Sequence, residues 1–371
     1  MQKRNKIKVI FVVKALGSGG IENYLLRFIR YSNDFIEPYV LCKGGMESHL
    51  DEVYKKSGTS IIYLKIGYFP TVSWFRYVKL LRRSKFDAIV DFTGDFASLT
   101  LIGAYFASIK KRIVFYRNSR YTFTINVAKL AYAKISNLLV SIFATRVLSN
   151  SVAALDYFHP DWNNSSGKYE VIYNGVPSDP YFKEIDKENV RKNYTIPNNA
   201  FVVGHVGRFV HGKNHNLILE VATELCRKYE NIYFLLCGKG VEEGLGHKVR
   251  DLKLDGKIIM PGVVDNIPDT LQAMDVFFFP SIVEGQPNAL IEAMLSNLPI
   301  VASDISPIQE CVPEFSMKSL ISLNSGSSVF SKHIEDIYHN GSPETQGNMR
   351  LWARKMFSSD KNFNKFLKQL W

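Results

Sequence analysis

Glu284 and Glu292 stand eight residues apart, on either side of the run Gly285-Gln286-Pro287-Asn288-Ala289-Leu290. Just upstream, Val276-Phe277-Phe278-Phe279 is a short apolar run between Asp275 and Pro280. Such a run reads as a strand buried on both faces of a parallel sheet, which puts Glu284 at a strand's carboxyl end. Gly285 permits a sharp turn, and Pro287 with Asn288 opens a helix whose free N–H groups can receive a diphosphate. Glu292 then falls inside the second turn of that helix. A carboxylate beside a phosphate is unfavourable unless it grips hydroxyls, and a sugar or a ribose supplies them. The alternative is that Glu284 merely caps the helix and Glu292 is a solvated helix residue.

A second set of residues brings cations. Gly204-His205-Val206-Gly207-Arg208 is followed by Lys213. Arginine offers a planar fork and lysine a point charge, so the two suit a pair of phosphates, although a basic turn after a strand would look the same. Lys14-Ala15-Leu16-Gly17-Ser18-Gly19-Gly20 follows the apolar run Ile7–Val13. Glu22 occupies the place of a dinucleotide fingerprint's third glycine, which disfavours a dehydrogenase.

Glu284-Gly285-x-Pro287, Leu290-Ile291-Glu292-Ala293-Met294 and Leu298-Pro299-Ile300-Val301-Ala302-Ser303-Asp304 closely resemble the donor-site signature of retaining glycosyltransferases of the GT-B type, family four. The Gly207-Arg208…Lys213 clamp, the segment Val171–Val176 and the loop from Gly17 to Gly20 resemble the same family in matching order. The resemblance implies an α/β fold of two Rossmann-like, doubly wound parallel-sheet domains facing across a cleft. It implies a first, acceptor-side domain at 1–175, a donor-binding domain at 176–350, and helices at 351–371 that return to the first. It gives Arg208 and Lys213 the leaving diphosphate, Glu284 the donor sugar and Glu292 the ribose. Gln286, Pro287, Asn288, Ala289 and Leu290 would contribute amides to sugar and phosphate. Gly17, Gly19, Gly20, Gly207 and Gly238 complete the donor side. The implied reaction is retaining, metal-independent transfer from a nucleotide sugar, foremost a UDP-sugar, to a lipid-linked or glycan acceptor, as in bacterial capsular and exopolysaccharide synthesis. Sugar-nucleotide 2-epimerases of similar fold and an inactive nucleotide-sugar-binding subunit are the competing readings.

The remaining pattern agrees in kind. The chain has 371 residues, 46% hydrophobic and 22% charged, as soluble globular proteins do, and is long enough for two domains. Apolar runs at Ile7–Val13, Glu37–Leu41, Ser60–Leu64, Ala88–Asp91, Ile113–Tyr116 and Arg146–Leu148 alternate with helical stretches. After a polar segment the alternation resumes with Phe201–Val206, Tyr233–Cys237, Lys257–Met260, Val276–Phe279, Ile300–Ala302 and Leu320–Leu323. No stretch approaches about 18 apolar residues, and Met1–Lys6 leads into too short a run for a signal peptide. Cys42, Cys226, Cys237 and Cys311 are scattered without metal-site spacing, which suits a reducing cytoplasm.

No Asp-x-Asp occurs, so neither metal nor cofactor is expected. His211-x-x-x-His215 has zinc-ligand spacing without a third ligand. On the acceptor side, Asp91-Phe92-Thr93-Gly94-Asp95-Phe96 stands where many relatives carry histidine, and Asp95 is the candidate contact. Arg117, Asn118 and Ser119, after the fifth strand, are the others.

Charge is lopsided. Residues 1–180 hold 25 Lys+Arg against 13 Asp+Glu, a balance of +12, and the rest hold 21 against 22. Trp74-Phe75-Arg76-Tyr77-Val78-Lys79-Leu80-Leu81-Arg82-Arg83-Ser84-Lys85 mixes aromatic and basic residues at roughly helical spacing. The expected partner is an anionic membrane surface, with Trp74 and Phe75 entering the headgroups and the protein peripheral on the inner face of the cell membrane. The alternative is an ordinary helix burying Trp74 and Leu81. Nothing resembles a nucleic-acid-binding module.

Overall fold

The computed structural model describes residues 6–17, 19–67, 69–121, 127–164, 167–314, 319–341 and 346–371. Chain contacts divide it into two units, Met1–Gly175 with Asp360–Trp371, and Val176–Ser359.

The first unit is built on β1 (Ile7–Val13), β2 (Ile36–Cys42), β3 (Ser60–Tyr63), β4 (Ala88–Asp91), β5 (Lys111–Tyr116), β6 (Arg146–Ser149) and β7 (Tyr169–Val171). They form one sheet in the order β3-β2-β1-β4-β5-β6-β7, with every pairing parallel. Helices cover both faces, so the central strands are apolar on both sides, as Val9 through Val12 at 0% exposure illustrate. β7 is absent from the strands read off the sequence. It is a three-residue edge strand of intermediate burial, without the apolar run that marks the others. Asp360–Trp371 completes the core: Phe363 and Phe366 pack on Phe28, with ring centroids 5.7 and 4.3 Å away.

The second unit holds β8 (Phe201–Val206), β9 (Ile232–Cys237), β10 (Ile258–Gly262), β11 (Val276–Phe279), β12 (Ile300–Ser303) and β13 (Leu320–Ile321) in the order β10-β9-β8-β11-β12-β13, again parallel. The helix Gln346–Met356 belongs to this unit. Arg350 anchors it, donating from Nε to the Leu295 carbonyl at 2.8 Å and from Nη2 to that of Tyr181 at 2.6 Å. The returning segment therefore starts at Asp360, later than the expected 351.

In each sheet the strand order reverses once, between β1 and β4 and between β8 and β11. Connections leaving two neighbouring strands there go to opposite faces, which opens a crevice at their carboxyl ends. The glycine loop follows β1 and Asp95 follows β4. Arg208 and Lys213 follow β8, and Glu284 follows β11.

Candidate functional site

In the second unit, three loops are tied to one another by their backbones. Gly207 N donates to the Cys237 carbonyl and Phe209 N to that of Lys239, both at 2.9 Å, which joins the loop after β8 to the loop after β9. Ile282 N donates to the Gly212 carbonyl at 2.8 Å, which joins the turn His211–Lys213 to the loop after β11. Gly238 sits at φ +152°, and a Cβ there would overlap the Gly207 carbonyl oxygen. Only glycine allows that approach.

These ties bring Lys213 and Glu284 together. Lys213 Nζ lies 2.6 Å from Glu284 Oε1, with side-chain exposures of 20% and 10%. The same ammonium stands 4.6 Å above the centroid of the Phe279 ring, which fixes it from below. Arg208 is exposed beside this pair in sequence and follows Gly207, whose notional Cβ would lie 3.2 Å from Lys213 Cδ. Pro287 is the N-cap of the helix Asn288–Leu295, and Glu292 is its fifth residue, half-buried and one turn beyond the free N–H groups. Gln286 is buried, while Asn288 and Ala289 are half-buried and Leu290 is in the core.

Two histidines lie under the clamp, and sequence reasoning gave them no role. His205 is fully buried, with Nδ1 3.0 Å from the Phe278 carbonyl, and its ring stands 5.1 Å from that of His215. Burial, then the neighbouring His215, pushes His205 well below the usual histidine range. Burial and the Lys213 cation push His215 down to about 4. Both are therefore neutral near pH 7 and add no cation. The periodic pattern of the chain cannot distinguish such histidines from ordinary core residues. His211 is exposed while His215 is buried, so the zinc-like spacing brings no pair together. Among the described residues, no group of three or more His, Cys, Asp or Glu could hold a metal ion.

In the first unit, Asp91 is wholly buried. It accepts from Thr93 N and Oγ1, both at 2.6 Å, and from Thr100 Oγ1. Lys43 Nζ donates to Thr93 Oγ1 at 2.9 Å and to the Phe96 carbonyl at 2.7 Å. This network fixes the short turn Gly94–Phe96 that carries Asp95. Asp95 is 9% exposed and its Oδ1 has no hydrogen-bond partner, so burial pushes its pKa up to about 7. Arg117 and Ser119 are buried and Asn118 is exposed. Gly17 and Gly20 border open space, while the Glu22 carboxylate rests against Gly19.

The basic helix Val72–Ser84 differs from expectation. Trp74 is 9% exposed and its Nε1 donates to the Leu99 carbonyl at 2.8 Å, so it packs inward and cannot enter headgroups. Phe75 is 64% exposed. The helices Ser98–Phe106 and Val127–Phe143 pack beside it in turn. They expose Tyr105, Phe106, Ile135, Leu138 and Ile142. None of the three helices contains an acidic residue. No described helix is long and apolar enough to cross a membrane.

Known proteins agree with this arrangement. The sequence model of the family described as Glycosyl transferases group 1 matches residues 186–356, and that of Glycosyltransferase Family 4 matches residues 18–179. The chain belongs to this glycosyltransferase family. The enzyme is 27% identical over 316 residues to the capsular polysaccharide biosynthesis glycosyltransferase CapH of Staphylococcus aureus, covering 82% of this chain and 83% of CapH. It is 22% identical to the putative glycosyltransferase EpsF of Bacillus subtilis, covering 97% of this chain and 95% of EpsF. A UDP-Gal:alpha-D-GlcNAc-diphosphoundecaprenol alpha-1,3-galactosyltransferase of Escherichia coli is 25% identical, covering 81% and 80%. Anabaena HepE, solved in complex with UDP-glucose, superposes with a TM-score of 0.81 at 18% identity, covering 98% of this chain and 99% of HepE. That likeness gives the glycosyltransferase its two-domain GT-B fold.

Proposed function

We propose that this glycosyltransferase moves a sugar, with retention at the anomeric carbon and without a metal, from a UDP-sugar to a lipid-linked acceptor in capsular or related surface-glycan synthesis. The observation that carries the reading is the Lys213–Glu284 pair at 2.6 Å, beside exposed Arg208 at the strand-order reversal of the second sheet. Arg208 and Lys213 neutralise the diphosphate as it leaves, Glu284 holds hydroxyls of the donor sugar, and Glu292 holds the ribose. The bond from C1 to the phosphate oxygen breaks and the bond from the acceptor oxygen to C1 forms on the same face. The acceptor proton passes to the departing diphosphate. Catalysis on this reading is electrostatic and positional.

Solved complexes of HepE with UDP and UDP-glucose, and the E. coli relative named for a diphosphoundecaprenol acceptor, support the donor and acceptor classes. Three neighbouring acid-free helices with exposed aromatic and aliphatic residues support an anionic membrane as the surface on which such an acceptor is met. Asp95 serves as an acceptor-side contact.

A screen of nucleotide sugars followed by proton NMR of the product tests the reading. The expected outcome is transfer from a UDP-sugar with the donor's anomeric configuration kept. Inversion, epimerisation at C2 of the donor, or binding without turnover each rejects it.

A further inference from the structure

Arg117 is a buried cation with no ion-pair partner among the described residues. It is 8% exposed, its Nε and Nη1 have no hydrogen-bond partner, and no described carboxylate forms an ion pair with it. Its guanidinium carbon lies over the Tyr24 ring, 3.8 Å from the centroid, and 5.0 Å from that of Phe115. Arg191, equally buried in the second unit, shows what a structural arginine looks like in this protein. Its Nε donates to Ala273, its Nη1 to Asn198 and Ala200, and its Nη2 to Asp275 at 2.6 Å. Every nitrogen of Arg191 is occupied. An uncompensated buried charge is costly, and the usual remedy is a partner of opposite sign.

A second guanidinium acts on the same group. Arg27, on the Gly20–Ser32 helix, also has a buried Nε without a partner, and its charge bears on both Tyr24 and Arg117. Burial chiefly, and the like charge of Arg27 further, hold Arg117 down to about 10. The ionisable groups acting on Arg117 are Tyr24, Arg27 and Glu22, all on that one helix, and Glu22 is the sole acid among them. Two forked donors whose charges act on one another fit a tetrahedral, multiply charged oxyanion better than a hydroxyl.

We propose that Arg117 and Arg27 form an anion site in the first unit that receives a phosphate of the lipid-linked acceptor. The site is separate in sequence and in unit from the Arg208–Lys213 clamp. It gives the acceptor's phosphate its own pair of cations, so the enzyme reads the acceptor by its charged linker as well as by its sugar. The assignment of the phosphate to the acceptor rests on the proposed lipid-linked substrate, whereas the existence of the anion site does not.

The test is titration of inorganic pyrophosphate, and separately of a short-chain polyprenyl diphosphate, into the full-length protein saturated with UDP to fill the donor clamp. Wild type should bind one equivalent of either. Arg117→Gln and Arg27→Gln should each weaken binding at least tenfold with UDP affinity unchanged. Glu22→Gln should tighten it. Arg27 is only half-buried, so its variant keeps the test usable if Arg117→Gln fails to fold. No uptake of pyrophosphate beside bound UDP, or equal uptake by wild type and both arginine variants, overturns the site. Binding of pyrophosphate but not of the polyprenyl diphosphate overturns the acceptor assignment alone.

Discussion

Lys213 and Glu284 neutralise each other across 2.6 Å, although one is assigned to the donor's diphosphate and the other to its sugar. Donor binding on this arrangement is an exchange of partners: phosphate takes the ammonium, and sugar hydroxyls take the carboxylate. Glu284→Gln frees Lys213 and keeps the shape of the side chain. It should lower kcat by about 10²- to 10³-fold while UDP binds at least as tightly as to wild type. Lys213→Ala should lose both, because it also leaves Glu284 partly buried without its cation. Steady-state kinetics with calorimetric UDP titration checks this, and a Glu284→Gln enzyme with wild-type kcat removes Glu284 from the reaction.

Cations of the chain stand in for a metal in the proposed chemistry. Turnover should therefore survive excess EDTA, and Arg208→Ala should cost about 2 to 4 kcal/mol of transition-state stabilisation. A strict requirement for added Mg²⁺ or Mn²⁺ contradicts the assignment.

Glu292 sits one turn into the Asn288–Leu295 helix and is assigned to ribose. Glu292→Ala should weaken UDP about tenfold, a loss of roughly 1.4 kcal/mol, with kcat nearly unchanged. Unaltered UDP affinity would return Glu292 to the role of a helix surface residue.

Asp95 links pH to stability in an unusual direction. Its carboxyl is raised by burial to about 7, from 3.8. Between those values the unfolded chain releases a proton that the folded chain keeps, so this group lowers stability as pH rises, by up to about 4 kcal/mol once pH passes 7. Below pH 4 it contributes nothing. Asp95→Asn should raise the melting temperature at pH 8 and leave it unchanged at pH 4. Identical shifts at both pH values would mean that Asp95 is not held protonated.

The acid-free face of the first unit should bind anionic vesicles and release them as salt is raised. Leu138→Glu with Ile142→Glu should abolish sedimentation with such vesicles while donor hydrolysis continues, and Trp74→Phe should change little. Equal partitioning to neutral vesicles would reject an electrostatic surface.

Much of the site was legible because its parts lie close in sequence to strand ends that announce themselves. Phe277, Phe278 and Phe279 mark a doubly buried strand, and Glu284 follows it within a single loop. The Lys213–Glu284 pairing was not legible, since the two are 71 positions apart and meet only through the neighbouring strands β8 and β11. Trp74 was misassigned for a related reason: the helical pattern allows two faces, and only the Leu99 carbonyl decides which one is buried. Edge strand β7 escaped because three half-buried residues carry no periodic signal. Arg117 read as an acceptor-side candidate from its place after the fifth strand, but its burial was not legible. Its burial comes from Tyr24 and Phe115, and residue type alone does not forecast that.

Residues 360–371 supply Phe363, Phe366, Leu367 and Leu370 to a core whose other members lie within the first 175 positions. A ribosome must therefore translate the whole second unit before the first can close. During that interval Tyr24, Phe28 and Phe115 lack their capping rings and present a sticky aromatic surface. A stop codon introduced at Asp360 would leave every donor-side residue of the second unit in place, and the product would fail by aggregating through its acceptor half.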